Sequence, residues 1–299
     1  MKQVLVLLST YNGEKYLKAQ IDSIFQNTNY DINILIRDDG SNDKTINIIE
    51  NINDKRINYY SGDNLGAAMS FIDLVNNAPD ADYYAYSDQD DVWKKGKLDN
   101  AITKLEQVYG YGLYMSTYDV VDENLKFIKK ANMKFNYPYT LGRTIVHGCP
   151  SGCTMVFNQK LQKLLTIKKP PFIRMHDYWT LLVTEAMQGT IITDEASQLL
   201  YRQHKNNAVG YANHNYILRV NRLLNSAISK KNERQQQSNS ILYCYNDLLP
   251  ENSRKLLEQV KNYNKTMRNK INLINNYELM PKEAIYKFLF IISVLTGTF

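Results

Sequence analysis

Three aspartates, Asp88, Asp90 and Asp91, fall within four residues, directly after the apolar, aromatic stretch 83–87. Carboxylates this close repel one another, and a hard divalent cation among them relieves the cost. Mg2+ or Mn2+ takes oxygen ligands and keeps positions open for substrate phosphates. There it acts as a Lewis acid on charge building at a leaving phosphate. A bare acidic run is more often a solvated turn, but the position of this one at the end of a strand favours the metal. A second acidic pair, Asp38-Asp39, ends another strand and is followed by Gly40-Ser41. One carboxylate there can make an ordinary turn or helix cap. The other can accept hydrogen bonds from a base or a ribose, and the spacing leaves open which does which.

Two further groups carry chemistry. Asp177 stands before Tyr178-Trp179-Thr180, at the start of a helical pattern. A carboxylate in such apolar company can have a raised pKa and serve as a general base, or it can cap the helix. Arg202, His204, Lys205 and Asn206 form a basic, polar run suited to phosphate oxygens. Near them in composition, Gly148, Ser151 and Gly152 indicate close backbone approach, to a donor or an acceptor. Cys149 and Cys153 are spaced too widely for a Cys-x-x-Cys redox pair. With Cys244 they read as reduced, cytosolic thiols.

These groups need elements to hold them. Residues 4–8 are a continuous apolar run, as for a strand covered on both faces. Helical spacing follows over 14–26, then a strand over 32–36, a helix over 43–51, a short strand over 57–60 and a helix over 67–75. A strand over 83–87 and a helix over 95–107 complete the first hundred residues. This alternation predicts an α/β fold with a mostly parallel sheet, right-handed crossovers and flanking helices. Ligands of such sheets bind beyond the carboxyl ends of the strands. That rule selects the loops at 9–13, 38–41 and 88–93. Strands are expected at 113–117 and 154–157, and a helix at 178–187. Beyond Gly210 the composition turns to Asn, Lys and Gln with Leu and Ile at helical spacing, so the chain divides into 1–210 and a helical region, 211–299. Residues 229–240 read as a linker or an exposed helix end.

Of the 299 residues, 44% are hydrophobic and 22% charged, which fits a globular protein with a sizeable core. The net charge of +6 suits an anionic nucleotide or an anionic lipid surface. No basic run with interleaved aromatics points to nucleic acid. Residues 3–8 read as a buried strand rather than a leader. No apolar run reaches the roughly 18 residues of a membrane span. The apolar segment 288–295 can pack on the domain or lie in a membrane interface.

The ordered set Ser9-Thr10-Tyr11-Asn12-Gly13, Arg37-Asp38-Asp39-Gly40-Ser41, Asn64-Leu65-Gly66 and Ser87-Asp88-Gln89-Asp90-Asp91-Val92-Trp93 resembles family 2 glycosyltransferases of the GT-A fold. The Asp-Gln-Asp-Asp-x-Trp form is similar to the branch that includes bacterial rhamnosyltransferases. So are Met175-His176-Asp177-Tyr178-Trp179 and the run from Tyr201 to Asn207. The likeness covers roughly residues 2–210. It implies an inverting, metal-dependent transfer from a UDP- or dTDP-sugar, with dTDP-rhamnose a possible donor, to a glycan or lipid-linked acceptor of bacterial surface polysaccharide. The cofactor would be Mn2+ or Mg2+.

By the same resemblance, Thr10, Tyr11, Asn12, Asp38, Asp39 and Asn64 line the nucleotide pocket. Asp88 and Asp90 match the Asp-x-Asp signature, with Asp90 the direct metal ligand, and Asp91 faces the donor sugar or supports the metal. Asp177 is the general base. Trp93 shapes the sugar pocket, and Trp179 and His176 the acceptor pocket. Arg202 and His204 lie near the diphosphate, His204 also as a metal ligand. A cytoplasmic protein peripheral to the inner membrane face fits the charge and the apolar tail, and an oligomer is compatible with it. Two other readings use the same residues: a nucleotidyltransferase, which would need a Gly-rich basic loop where residues 9–13 hold one glycine, and a non-catalytic carbohydrate-binding protein on this fold.

Overall fold

The computed structural model describes residues 1–131, 139–148, 151–204 and 232–299. The elements of the first half are β1 (Gln3–Thr10), α1 (Leu17–Ile24), β2 (Asp31–Asp38), α2 (Thr45–Ile52), β3 (Ile57–Ser61), α3 (Gly66–Asn77), β4 (Tyr83–Ser87), β5 (Val92–Trp93) and α4 (Lys97–Leu105). Then come β6 (Gly112–Val121), β7 (Phe127–Lys130), α5 (Leu141–His147), β8 (Val156–Asn158), α6 (Gln159–Leu165), α7 (His176–Ala186) and β9 (Thr190–Arg202). Four helices close the chain: α8 (Glu233–Tyr245), α9 (Glu251–Asn262), α10 (Met267–Ile274) and α11 (Ala284–Thr296). No described helix is long and apolar enough to cross a membrane.

One sheet runs in the order β3-β2-β1-β4-β8-β6-β9-β5, with β7 paired to β6. The pairs β1·β2, β1·β4, β2·β3 and β6·β9 are parallel. Strands β8, β5 and β7 run against the others. The result is the expected α/β architecture, a mainly parallel sheet flanked by helices. The parallel half of the sheet lies where the sequence alternates most regularly. Its second half is mixed, with strands of uneven length.

The pleat assigns each side chain of β1 to a face. Val4, Val6 and Leu8 point to a core shared with α1, α2 and α4, through Leu17, Ile21, Ile49 and Leu98. Leu5 and Leu7 point to the opposite core, shared with α3, α6 and α7. That second core continues without a break into the C-terminal helices through Ile241, Tyr245, Leu257, Leu273 and Phe290. The expected division at Gly210 lies outside the described residues.

Several local expectations change. The strand expected at 154–157 is β8, and its first residue, Thr154, instead belongs to a tight 3-10 turn, Gly152–Thr154. Residues 233–240, expected to be linker or exposed, form the first turns of α8 and bury Gln237, Ser238 and Ser240; residues 229–231 lie outside the described residues. Two of these polar side chains, Gln237 and Ser240, satisfy backbone amides of the loop before α7. Arg174 donates its amide to Gln237 Oε1 at 3.1 Å and Phe172 to Ser240 Oγ at 3.1 Å, as buried donors require.

Candidate active site

Three loops meet beyond the carboxyl ends of β1, β2 and β4, and they are tied to one another. Gln89, inside the acidic loop, accepts from the Tyr11 amide at 2.9 Å and from Thr10 Oγ1 at 2.5 Å, and donates to the Tyr11 carbonyl at 3.0 Å. A Cβ at Gly13 would displace the Gln89 amide and Thr10 Oγ1 from this contact. Asn12 takes a left-handed conformation, φ 48°, that asparagine tolerates. It donates its amide to Ser41 Oγ at 2.8 Å, and its side chain accepts from the Asn42 amide at 2.9 Å. The Gly13 amide goes to Thr45 Oγ1 at 2.8 Å.

The two aspartates ending β2 divide the work that the spacing left open. Asp39 is buried and saturated from within the chain. It pairs with the buried Arg37 guanidinium and accepts from the amides of Leu65 and Gly66, each at 2.9 Å. It therefore fixes the Asn64-Leu65-Gly66 loop at the start of α3. Asp38 makes the turn, accepting from the Ser41 amide at 3.1 Å, while its buried Oδ1 has no partner among the described residues. Asn64 is exposed and accepts from the Gly66 amide at 3.2 Å. Tyr11 is 45% exposed at the rim, an aromatic face open to stacking.

The acidic loop carries an electrostatic load that the loops after β1 and β2 do not. Asp88 is half-buried, and its pKa is pushed up to about 7 by burial and then by the charges of Asp90 and Asp177. Asp91 is fully buried and pushed well up by burial and by Asp90 and Asp88, although the Arg202 amide donates to its Oδ1 at 3.2 Å. Among the described residues its Oδ2 has no hydrogen-bond partner. Beneath the loop lies Lys97, wholly buried, donating to the Cys153 carbonyl at 2.6 Å and lying 3.6 Å from the centre of the Trp93 ring. Burial lowers its pKa to about 7 against the opposing pull of Cys153, Asp91 and Asp88.

On the rim, Asp90 Oδ2 lies 2.7 Å from His204 Nε2, and Arg202 Nε donates to the Asp90 carbonyl at 2.8 Å. Arg202 and His204 both lean on the Tyr16 ring, at 4.5 and 5.0 Å. Carboxylate oxygens are the donors that Mn2+ or Mg2+ takes, an added imidazole favours Mn2+ over Mg2+, and the raised pKa of Asp88 is a cost that a cation relieves. The residues present thus fit a divalent ion. Asp88, Asp91 and Cys153 also bring ligand atoms within 4.8 Å of one another. A buried thiol whose pKa is pushed well up is a poor partner for a hard ion, however, so Asp91 and Cys153 belong to the support of the loop.

Asp177 comes from the first turn of α7. Its Oδ2 accepts from the Gly152 amide at 3.0 Å and its Oδ1 from its own neighbour's amide, Tyr178, at 2.6 Å. Burial raises its pKa to about 6, and these two amides and Arg174 hold it from rising further. The small residue at 152 is needed for close approach within the chain rather than to a ligand, because a Cβ there would meet His176 Nε2 and Asp177 Cβ. Gly148, at φ 94°, has open space around it.

Three expected substrate contacts turn inward. Trp93 is buried over Lys97, paired through β5 to β9. Trp179 has no exposed surface and lies 6.0 Å from Tyr245 of α8. His176 is buried, stacked at 3.8 Å on Phe71, and kept neutral by burial with its pKa lowered to about 3. All three are buried. Two residues that sequence reasoning missed take structural charge of the site: Gln89, hidden between two aspartates, and Lys97. The signal for Lys97 was its phase. It shares the buried face of α4 with Leu98, Ala101, Ile102 and Leu105, an odd place for a lysine.

Residues 5–165 match glycosyl transferase family 2. A dTDP-rhamnosyl transferase of Shigella flexneri, RfbG, is 30% identical over 238 residues, covering 72% of this chain and 78% of the relative. An Escherichia coli UDP-Glc:alpha-D-GlcNAc-diphosphoundecaprenol beta-1,3-glucosyltransferase, WfgD, is 23% identical over 180 residues, covering 59% and 67%. In fold, the chain is similar to S. aureus TarS 1–349 in complex with UDP-GlcNAc, with a TM-score of 0.61 at 15% identity, over 100% of this chain and 82% of that one.

Proposed function

Because the chain belongs to glycosyl transferase family 2, we propose that it transfers a sugar, with inversion, from a nucleotide diphosphate donor to a glycan or lipid-linked acceptor of bacterial surface polysaccharide. The observation that carries the reading is the meeting of Asp177 with the acidic loop from separate segments of the chain: Asp177 Oδ2 holds the Gly152 amide at 3.0 Å, next to Cys153, whose sulfur lies within 4.8 Å of carboxylate oxygens of Asp88 and Asp91. The acceptor oxygen attacks the anomeric carbon, its proton passes to Asp177, and the bond to the diphosphate breaks with its electron pair leaving on phosphate oxygen. The carboxylate of Asp177 is aimed for this by the amides of Gly152 and Tyr178. A Mn2+ or Mg2+ ion held by Asp88, Asp90 and His204 would supply positive charge against the departing diphosphate. Arg202 adds a fixed cation on the same side.

The nucleoside falls to the loops after β1 and β2, with Tyr11 stacking on the base. The Oδ1 of Asp38, unpartnered among the described residues, is there to accept from base or ribose, while Asp39, Asn12 and Asn64 hold the loop shape. Similarity to a dTDP-rhamnosyl transferase supports dTDP-rhamnose as the donor. The enzyme would work at the cytoplasmic face of the membrane, where lipid-linked acceptors reside. The test is a screen of UDP-, dTDP- and GDP-sugars for turnover with Mn2+, with Mg2+ and with chelator. Metal-dependent release of one nucleoside diphosphate is expected. Release of pyrophosphate from a nucleoside triphosphate would favour nucleotidyl transfer, and binding of no nucleotide a non-catalytic role.

A further inference from the structure

We propose that the outer face of α11, with the exposed side of α10 beside it, docks on an anionic lipid bilayer. This deepens the peripheral position proposed above by naming the surface. Ile285, Phe288, Ile292 and Leu295 follow one another at three- and four-residue steps, which sets them on one stripe of the helix. They are 51%, 62%, 41% and 45% exposed. The opposite stripe, Phe290 and Val294, is buried in the core, and Phe290 packs edge-on against Phe299 at 5.1 Å. The helix is therefore anchored by one side while it shows large apolar side chains on the other. Met267 and Ile271 of the neighbouring α10 extend the apolar surface, at 61% and 49% exposed. Lys270 of α10 ties the two helices by donating to the Leu295 carbonyl at 2.7 Å.

The charge around this surface selects its occupant. The two helices themselves carry Arg268, Lys270 and Lys287 and no acidic residue. Arg268 and Lys287 are exposed. A symmetric contact with a second copy would set this basic surface against itself. An anionic bilayer instead offers phosphates to the cations and an acyl boundary to the apolar stripe. Helix α11 has 13 residues, about 20 Å at 1.5 Å each, so it lies in the interface plane and does not cross.

The test is flotation of the full chain with vesicles of phosphatidylcholine alone or with added phosphatidylglycerol. The wild type is expected to float with the anionic vesicles and to be released by salt. Phe288→Ser with Ile292→Ser is expected to cut the bound fraction at least about tenfold, with melting temperature and donor turnover unchanged. Should that variant fold poorly, Arg268→Glu with Lys287→Glu is expected to abolish the preference for anionic vesicles. A wild type that does not float, a serine variant that floats equally well, or a dimer that the serine variant dissolves overturns the proposal. Vesicle binding reads independently of transfer: a chain that floats but turns over no nucleotide sugar keeps this surface and rejects the transferase reading.

Discussion

The two sides of the site are built on opposite principles. On the nucleotide side, almost every polar group is answered from within the chain: Gln89 holds Tyr11, Ser41 and Asn42 hold Asn12, and Arg37 with two amides holds Asp39. On the other side, carboxylates crowd one another. Asp88 and Asp91 are driven up in pKa by burial and neighbouring charge, and Asp91 keeps an oxygen without a partner among the described residues. The satisfied side is a finished mould, and its cost is met on folding. The crowded side carries a cost that a bound cation would relieve. Substitutions on the two sides should therefore fail differently, the crowded side in turnover and the moulded side in affinity.

The largest effect belongs to the rim. Asp90→Ala removes the carboxylate that faces His204, and turnover is expected to fall on the order of 10³-fold, since several kcal/mol of leaving-group stabilisation are lost. Nucleotide-sugar binding should lose its dependence on Mn2+, read by calorimetry with and without chelator. A wild-type rate in this variant would erase the distinction between the two sides. Next is Lys97, buried under the crowded loop. Lys97→Met removes the donor to the Cys153 carbonyl and is expected to cost about 1–3 kcal/mol in folding stability by leaving that acceptor unsatisfied, measured by denaturant unfolding. By loosening the turn at Gly152 and Cys153 that aims Asp177, it should also lower turnover by on the order of 10²-fold. The smallest effect is expected on the moulded side. Gln89→Ala removes the amide that clamps Tyr11 and should raise KM by about tenfold or less, the worth of one or two hydrogen bonds, with kcat nearly kept.

The sequence was most readable where the moulded side is made. Strands β1 and β4 hold continuous apolar runs, and β2 one broken only by Asn33, because parallel strands are covered on both faces, and the loops after them follow from that. The second half of the sheet was harder. Strand β9 contains Thr193, Asp194, Glu195 and Ser197, and its pairing with β6 slips in register around Thr117, so no period-two pattern survives. Helix α6 begins at the residue after β8, capped by Asn158 itself at 3.1 Å, with no turn residue to mark the change. Within the site, positions of aspartates were legible but the inward turn of Trp93, Trp179 and His176 was not. An aromatic beside a motif has the same spelling whether it meets a sugar or the core. Only the second strand or helix packed on it, β9 over Trp93 and α8 over Trp179, decides.

The central claim is that Asp177 takes the acceptor proton while the crowded loop answers the diphosphate. A base works ionised, and burial raises this carboxylate to about 6. The pH–rate profile of transfer by the metal-loaded enzyme should thus rise through about pH 6 to a plateau and be lost on acidification. Measured beside it, Asp177→Asn should bind the nucleotide sugar as the wild type does and transfer on the order of 10²- to 10⁴-fold more slowly, without that rise. An Asp177→Asn enzyme that transfers at the wild-type rate, with the acidic limb still in place, would contradict the account.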